Sequence, residues 1–354
     1  MKLQILVPQY KETEKVVLNL LNSLECQQGV KLKEDFGVII VNDGSDTLLN
    51  EQFLKTYTYP IEYHKDKHRG IAGTRNALLR YATADYVMFC DADDMFCSLI
   101  AIYSILLAIN SPDGFDELIT YFYSEGYRPD GSIRYAENTR VIHPFIHGKV
   151  YNRKYLVENS IWYCEDVDYH EDVYFSFLAH SCATNIKQLP QYAYIWKTSP
   201  TSITRQSPDF AIKNYHDSLR AIGFVADELI KRNKLEDAKF YYTCCLFNTY
   251  TFMHTKSWLE HKGDDMWIDA ENWLCWLWQK HGDDLFNAYD PDRVQKIWDD
   301  TMSNAIKEGA LTKEDLEQPF NEWLQEILDR HTEKPIEEEP EPEEETSEEE
   351  DKNN

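Results

Sequence analysis

The chain has 354 residues, 43% hydrophobic and 14% aromatic, with a formal net charge of −26. The apolar content suffices for one large core or two modest ones, and the charge disfavours indiscriminate binding to nucleic acid or an anionic membrane. Ten of the net negative charges fall in the last stretch, EKPIEEEPEPEEETSEEEDKNN. That stretch cannot build a core, so residues 333–354 read as a disordered acidic tail, with docking to a basic partner the sharper alternative.

No signal peptide is expected, because MKLQILVPQYKE meets Pro8 and charge within a few residues. The greasy run SLIAIYSILLAI is too short to span a bilayer, so no transmembrane segment is expected. The eight cysteines form no CxxC pair and read as reduced thiols without structural zinc. Together these features point to a cytoplasmic protein, free or peripheral at the membrane.

In chain order, LQILVP (3–8) predicts a buried strand. Val17, Leu20, Leu21 and Leu24 then mark one face of a helix, with Thr13 as its cap. FGVIIVNDGSD (36–46) is a second buried strand running into turn chemistry, and IEYHKD (61–66) a third. GTRNALLRYA (73–82) is helical, YVMFCD (86–91) a fourth strand, a helix capped by Ser98 follows, and ELITYFYSE (117–125) is a fifth strand. This alternation predicts an α/β domain with a mostly parallel sheet flanked by helices, whose ligands bind beyond the carboxyl ends of the strands. Polar residues collect at those ends: Pro8–Tyr10, Asn42–Ser45 and Asp91–Asp94. No GxGxxG follows the first strand, which argues against a dinucleotide. From about residue 208, Leu219, Ile222, Val225, Ala226 and Leu229 recur at helical spacing, and the tryptophan-rich remainder reads as a helical C-terminal subdomain to about 332.

On an extended segment Asp91 and Asp93 project the same way. Two converging carboxylates suit Mg²⁺ or Mn²⁺ that carries a substrate's phosphates. A solvated capping turn is the plainer reading of Asp-x-Asp alone; the buried strand before it favours the metal. Arg69 and Arg75 flank GIAGT ahead of a helix, where a guanidinium and backbone N–H groups could meet phosphate oxygens. Without ligand, Arg75 would pair with Asp85 or Asp91. In CEDVDYHEDVYFSFL, five carboxylates fall within eight residues, more than a helix dipole alone calls for. His143, His147 and His170 are candidates for a further metal ligand or phosphate contact, though a lone histidine is more often neither.

LVPQYKE, VNDGSD, GIAGTRNALL, YVMFCDADD and HEDVYF, in this order, resemble the family 2 glycosyltransferases of GT-A fold, over about residues 1–205. The resemblance implies a GT-A domain over 1–207, with a nucleotide-binding half (1–95) and an acceptor half (96–207), followed by the helical subdomain over 208–332. It implies that Pro8, Tyr10 and Glu12 lie along the nucleotide, that Asp43 bonds the uracil or equivalent base, and that Asp91 and Ala92 sit by the ribose. It further implies that Asp93, with Asp91, holds the metal on the diphosphate, that Asp172 is the general base, and that Glu171 orients it or the acceptor. HGKVYNRKYL and QYAYIWKTSPTSITR resemble later blocks, placing His147, Lys149, Ser202 and Thr204 in the acceptor or diphosphate region.

The function so implied is metal-dependent, inverting transfer of a sugar from a nucleotide-diphosphate donor, a UDP-sugar favoured, to a hydroxyl. Residues 128–154 hold six basic side chains against two acids, which points to an anionic acceptor. A glycan or lipid-linked glycan ranks ahead of DNA carrying a hydroxymethylated base. The alternatives are a sugar-nucleotide nucleotidyltransferase, demoted because PQYKETEK has no glycine, and a non-catalytic scaffold.

Overall fold

The computed structural model describes residues 1–128, 130–198 and 210–331. Ser202, Thr204 and the acidic tail of the sequence analysis lie outside the described residues. The first four strands, β1 (Leu3–Gln9), β2 (Phe36–Asp43), β3 (Ile61–Asp66) and β4 (Tyr86–Phe89), pair in parallel in the order β3-β2-β1-β4. The parallel character expected from the βα rhythm holds there. Beyond β4 the sheet becomes mixed: β8 (Lys149–Asn152) runs antiparallel to β4, and β6 (Glu117–Tyr127) antiparallel to β8. β9 (Ile186–Trp196) then lies parallel to β6, with the two-residue β5 (Met95–Phe96) antiparallel at its far edge. β7 (Ile133–Asn138) folds back on β6 as an exposed hairpin.

Period-2 alternation along β1 sorts the core onto two faces. Leu3, Ile5 and Val7 pack with α1 (Glu14–Glu25) and α4 (Ala101–Ile109), while Leu6 joins the opposite cluster. Helix α1 buries Val17, Leu20, Leu21 and Leu24, and Thr13 stands at its N-cap, where its carbonyl rather than its hydroxyl accepts the first-turn N–H groups. Ser98 does not cap α4; that position falls to Ile100, and the Ser98 hydroxyl accepts the Ile100 N–H at 3.3 Å.

The second face carries α3 (Gly70–Tyr81), α5 (Arg153–Glu158) and α6 (Glu171–Cys182). Its core continues without a break into α8 (Tyr215–Lys231), α9 (Leu235–Met253), α11 (Asp265–His281), α12 (Pro291–Lys307) and α13 (Phe320–His331). Leu6 of the first strand and Ile327 of the last helix thus belong to one apolar cluster. The later tryptophans, Trp258, Trp267, Trp298 and Trp323 among them, pack in or against this core. Among the described residues, no helix is long and apolar enough to cross a membrane.

Gly148 enters β8 with φ +73°, and a Cβ there would stand 2.8 Å from the Thr120 carbonyl oxygen and 2.9 Å from its Oγ1. Gly148→Ala should therefore cost about 1–3 kcal/mol from backbone strain. Urea unfolding checks it: the midpoint should fall at unchanged slope.

Candidate active site

The site forms where β1, β2 and β4 end and α3 and α6 begin. Gln9 and Asn42 lock the first two strand ends: Asn42 Nδ2 donates to Gln9 Oε1 at 2.6 Å and to the Thr47 carbonyl at 3.0 Å. Gln9 Nε2 in turn donates to the carbonyls of Glu12 and Thr47. Asp43 is buried and accepts the Arg69 backbone N–H at 2.7 Å, with His68 Nδ1 2.9 Å from its other oxygen. Gly44 (φ +71°) makes this possible, since a Cβ there would lie 2.4 Å from the His68 nitrogen. His68 also stacks on half-exposed Tyr10, ring centroids 5.0 Å apart. Glu12 bends back to accept the Tyr10 N–H at 2.8 Å, and Pro8 is buried within β1. Arg69 thus contributes its backbone to Asp43, while its exposed side chain lies 3.9 Å from Asp66.

Arg75, on α3, is the centre of the charge arrangement. Its side chain is 5% exposed and its two terminal nitrogens bind different carboxylates: Nη2 meets Asp91 Oδ1 at 2.8 Å and Nη1 meets Glu171 Oε1. One guanidinium therefore ties the end of β4 to the start of α6. Of the expected partners Asp85 and Asp91, the structure selects Asp91, and adds Glu171. The neighbouring Asn76 binds the same loop, donating to the Tyr163 carbonyl and Glu165 Oε1 and accepting the Tyr163 N–H. The TRN stretch of α3 is thus a clamp on residues 163–171.

Asp91 and Asp93 do not converge as an extended segment would make them. The strand ends at Phe89, and residues 91–94 form a turn closed by Asp94 N–H donating to the Asp91 carbonyl at 3.2 Å. A turn brings i and i+3 together instead of i and i+2. Among the described residues, Asp91, Asp94 and His147 offer ligand atoms within 4.8 Å of one another, with Ala92 buried and Asp93 half-buried outside that trio. Asp94 is fully buried: Tyr194 donates its hydroxyl to Oδ2 at 2.6 Å, and the Lys197 N–H donates to Oδ1 at 2.7 Å. Tyr194 also accepts the Asp91 N–H at 3.0 Å, so one hydroxyl fixes both ends of the turn. His147 stacks on Tyr194 and Trp196, and its Nδ1 is buried without a hydrogen-bond partner, 3.9 Å from Asp94.

Burial pushes Glu171 up to about 7 against the pull of Arg75, and Asp172 up to about 6 for the same reasons. Asp91 is held below its ordinary value: burial opposes this, but the Arg75 charge prevails. Burial lowers His147 to about 4, leaving a neutral imidazole. The turn into α6 is unusual as well. His170, its N-cap, sits in the left-handed region at φ +65°, a conformation costing a non-glycine residue roughly 1–3 kcal/mol.

Lys149 is not directed at a ligand. It is 1% exposed, donates to the His143 carbonyl at 2.8 Å and lies 3.9 Å from Glu117, which is also bonded to His180. His143 is buried among Phe122 and Phe145, with burial driving it down to about 2. The residues that sequence reasoning missed are His68, Asn76 and Tyr194, while Gln9, Asn42 and Asp94 were placed on the polar rim without a role. The missed three act through pairings that no local pattern encodes.

Residues 4–143 match the model of the family described as Glycosyl transferase family 2. Over 233 residues, 63% of this chain and 40% of the relative, it is 25% identical to the poly(ribitol-phosphate) beta-N-acetylglucosaminyltransferase TarS of Staphylococcus aureus (strain Mu50 / ATCC 700699). It is 24% identical over 222 residues to the uncharacterized glycosyltransferase EpsJ of Bacillus subtilis (strain 168), covering 56% of this chain and 62% of EpsJ. The chain therefore spans less than two thirds of either relative. Among solved structures, S. aureus TarS 1–349 in complex with UDP superposes with a TM-score of 0.63 at 18% identity, covering 94% of this chain and 92% of that one. TarS 1–349 in complex with UDP-GlcNAc gives 0.59 at 18% identity, covering 88% and 93%. These likenesses show the GT-A fold expected from the motifs, and the alignment continues into the C-terminal helices.

Arg75→Leu would leave Asp91 and Glu171 without their counter-charge. The loss expected for removing one partner of a buried ion pair is about 3–5 kcal/mol. Denaturant unfolding at neutral pH reads it, and a change below about 1 kcal/mol would show that the two carboxylates do not depend on this guanidinium.

Proposed function

We propose that the chain is a metal-dependent, inverting glycosyltransferase that moves a sugar from a UDP-sugar to a hydroxyl of a phosphate-bearing glycan polymer. The observation that carries this reading is the Arg75 bridge, which sets an acidic strand end and a base-bearing helix start against one guanidinium. The family match over 4–143 supports glycosyl transfer, and the TarS relative's name supports both an N-acetylglucosaminyl donor and a phosphate-bearing acceptor.

In this reading Asp43, held by Arg69 and His68, reads the base, and Tyr10 lies along the nucleotide. Asp91 faces the ribose. A divalent cation fits the Asp91–Asp94–His147 group, because two carboxylates and a neutral imidazole with an unpartnered buried nitrogen form a donor set that suits Mn²⁺ better than Mg²⁺. Asp93, the ligand implied by the Asp-x-Asp resemblance, adds negative charge beside Asp94. When bound, such a cation neutralises the charge that develops on the departing diphosphate.

Glu171 is committed to Arg75, which leaves Asp172 to take the proton of the attacking hydroxyl. A carboxyl raised to about 6 is well matched to that work near neutral pH. One base acting on one displacement gives inversion. The basic segment 128–154 supports an anionic acceptor less strongly than its composition implied. Lys149 is buried and Arg153 Nε is spent on the Ala84 carbonyl, so Arg128, Arg134, Arg140 and Lys154 are the ones left exposed. That thinned surface suits a single phosphate-bearing chain better than the dense phosphates of DNA. The assembled Asp91–Arg75–Glu171 bridge speaks against a non-catalytic scaffold, since a decayed site has no reason to keep buried charge.

Asp172→Asn should lower turnover by about 10²–10⁴ and leave UDP binding, measured by calorimetry, within a few-fold. Turnover of the unaltered enzyme should show an acid limb with its midpoint near pH 6, because the base works deprotonated and takes up its proton as pH falls. A limb that persists unchanged in a residually active Asp172→Asn enzyme would remove Asp172 from the role. UDP with Mn²⁺ should raise the melting temperature more than UDP with chelator, as any ligand specific to the folded state must. Equal shifts would sink the metal assignment.

A further inference from the structure

The helices beyond residue 208 reach the reaction centre at one point. Asp217, in the first turn of α8, is 2% exposed, and its Oδ2 accepts the backbone N–H of Tyr169 at 3.1 Å. Its other oxygen is held by Arg220 Nη1 at 3.1 Å, with His216 Nε2 3.5 Å away. Tyr169 immediately precedes His170, the left-handed residue from which α6 starts, and the next two residues are Glu171 and Asp172. His170 makes no side-chain cap of its own helix. Besides the Arg75–Glu171 pair, this strained turn is held from another element by the carboxylate of a residue 48 positions downstream.

We propose that Asp217 is a positioning residue for sugar transfer: its bond to the Tyr169 N–H holds the His170 turn so that Asp172 points at the acceptor. This rests on the reading of Asp172 as the base and extends it to the helical region, which gains a part in the reaction beyond packing. A carboxylate suits the task because a charged acceptor makes a stronger bond to a backbone N–H than a neutral one. Arg220 and burial keep it in one rotamer. A residue such as His170 escapes from φ +65° towards the ordinary helical region once the tether is gone, and the helix start then turns.

Asp217→Ala should lower kcat by about 10–100-fold, the range a misplaced reacting group produces. The donor KM and the stoichiometry of UDP binding by calorimetry should stay as in the unaltered enzyme, which separates misplacement from a loss of folded protein. Asp217→Asn keeps an oxygen for the Tyr169 N–H and should retain most of kcat. Adding His170→Gly to Asp217→Ala should recover about tenfold, since glycine occupies positive φ without steric cost and needs no tether. Unaltered kcat in Asp217→Ala, or a fall matched by lost UDP-binding sites, overturns the proposal. So does an Asp217→Asn enzyme that binds UDP fully and has lost kcat tenfold, a variant that also decides the matter should the alanine form not fold. Wild-type turnover in Asp172→Asn instead overturns the base assignment itself, whatever Asp217 does.

Discussion

One buried guanidinium holds the site in shape. Three carboxylates cluster at the end of β4 and two more open α6, and such a density of negative charge in a largely dry setting is unstable without compensation. Arg75 supplies it with a fork whose two arms go to Asp91 and Glu171, 16 and 96 residues further along the chain. A lysine could satisfy one carboxylate as a point charge; bridging two at fixed separation needs a planar donor set. The position of Arg75 is in turn set by the close approach of α3 to the loop beneath it. At Gly73 a Cβ would stand 2.7 Å from the Arg69 side chain and 3.4 Å from Glu165, so the GIAGTRN stretch combines a small residue for contact with a charge for bridging.

In the proposed mechanism the same bridge gives the two acids of α6 different roles. Glu171 faces Arg75 and is 9% exposed, so its rotamer is fixed. Asp172, one residue on, is turned by about 100° around the helix and feels Arg75 only at longer range. Burial raises the proton affinity of both acids, so the contact with Arg75, not the shift, separates them. Two adjacent carboxyls of the same chemistry are thereby divided into an anchor and a proton acceptor by geometry alone.

Much of this was legible in the sequence, for identifiable reasons. β1 to β4 and α1 could be placed because their apolar residues recur at strand or helix period, and the polar strand ends could be grouped because parallel βα units put them on one rim. Of the mixed half of the sheet, β6 was legible as a strand and the rest was not. β8 is four residues long and β9 is long but half-exposed, so neither gives a clear alternation, and their pairing is decided by contacts with β4 and β6. The Asp-x-Asp reading assumed extended backbone, whereas Tyr194, about a hundred residues away, pulls the segment into a turn that swaps Asp93 for Asp94 in the cluster. Lys149 was placed in the acceptor or diphosphate region by the resemblance of HGKVYNRKYL to a later block, and a motif does not show that a buried partner such as Glu117 lies beside it.

The C-terminal helices looked like a separate subdomain because their texture changes abruptly at about residue 208. Texture reports period, not independence. The apolar face that α6 turns away from the sheet is covered by α8, and the cluster runs on through α9 and α11 without a polar seam. Removing these helices would expose the back of the very helix that carries Glu171 and Asp172. In the proposed mechanism the first four strands carry the donor residues and α6 the base, and α6 packs on what lies behind it. In that mechanism donor binding and acceptor activation rest on different parts of the core, joined through Arg75.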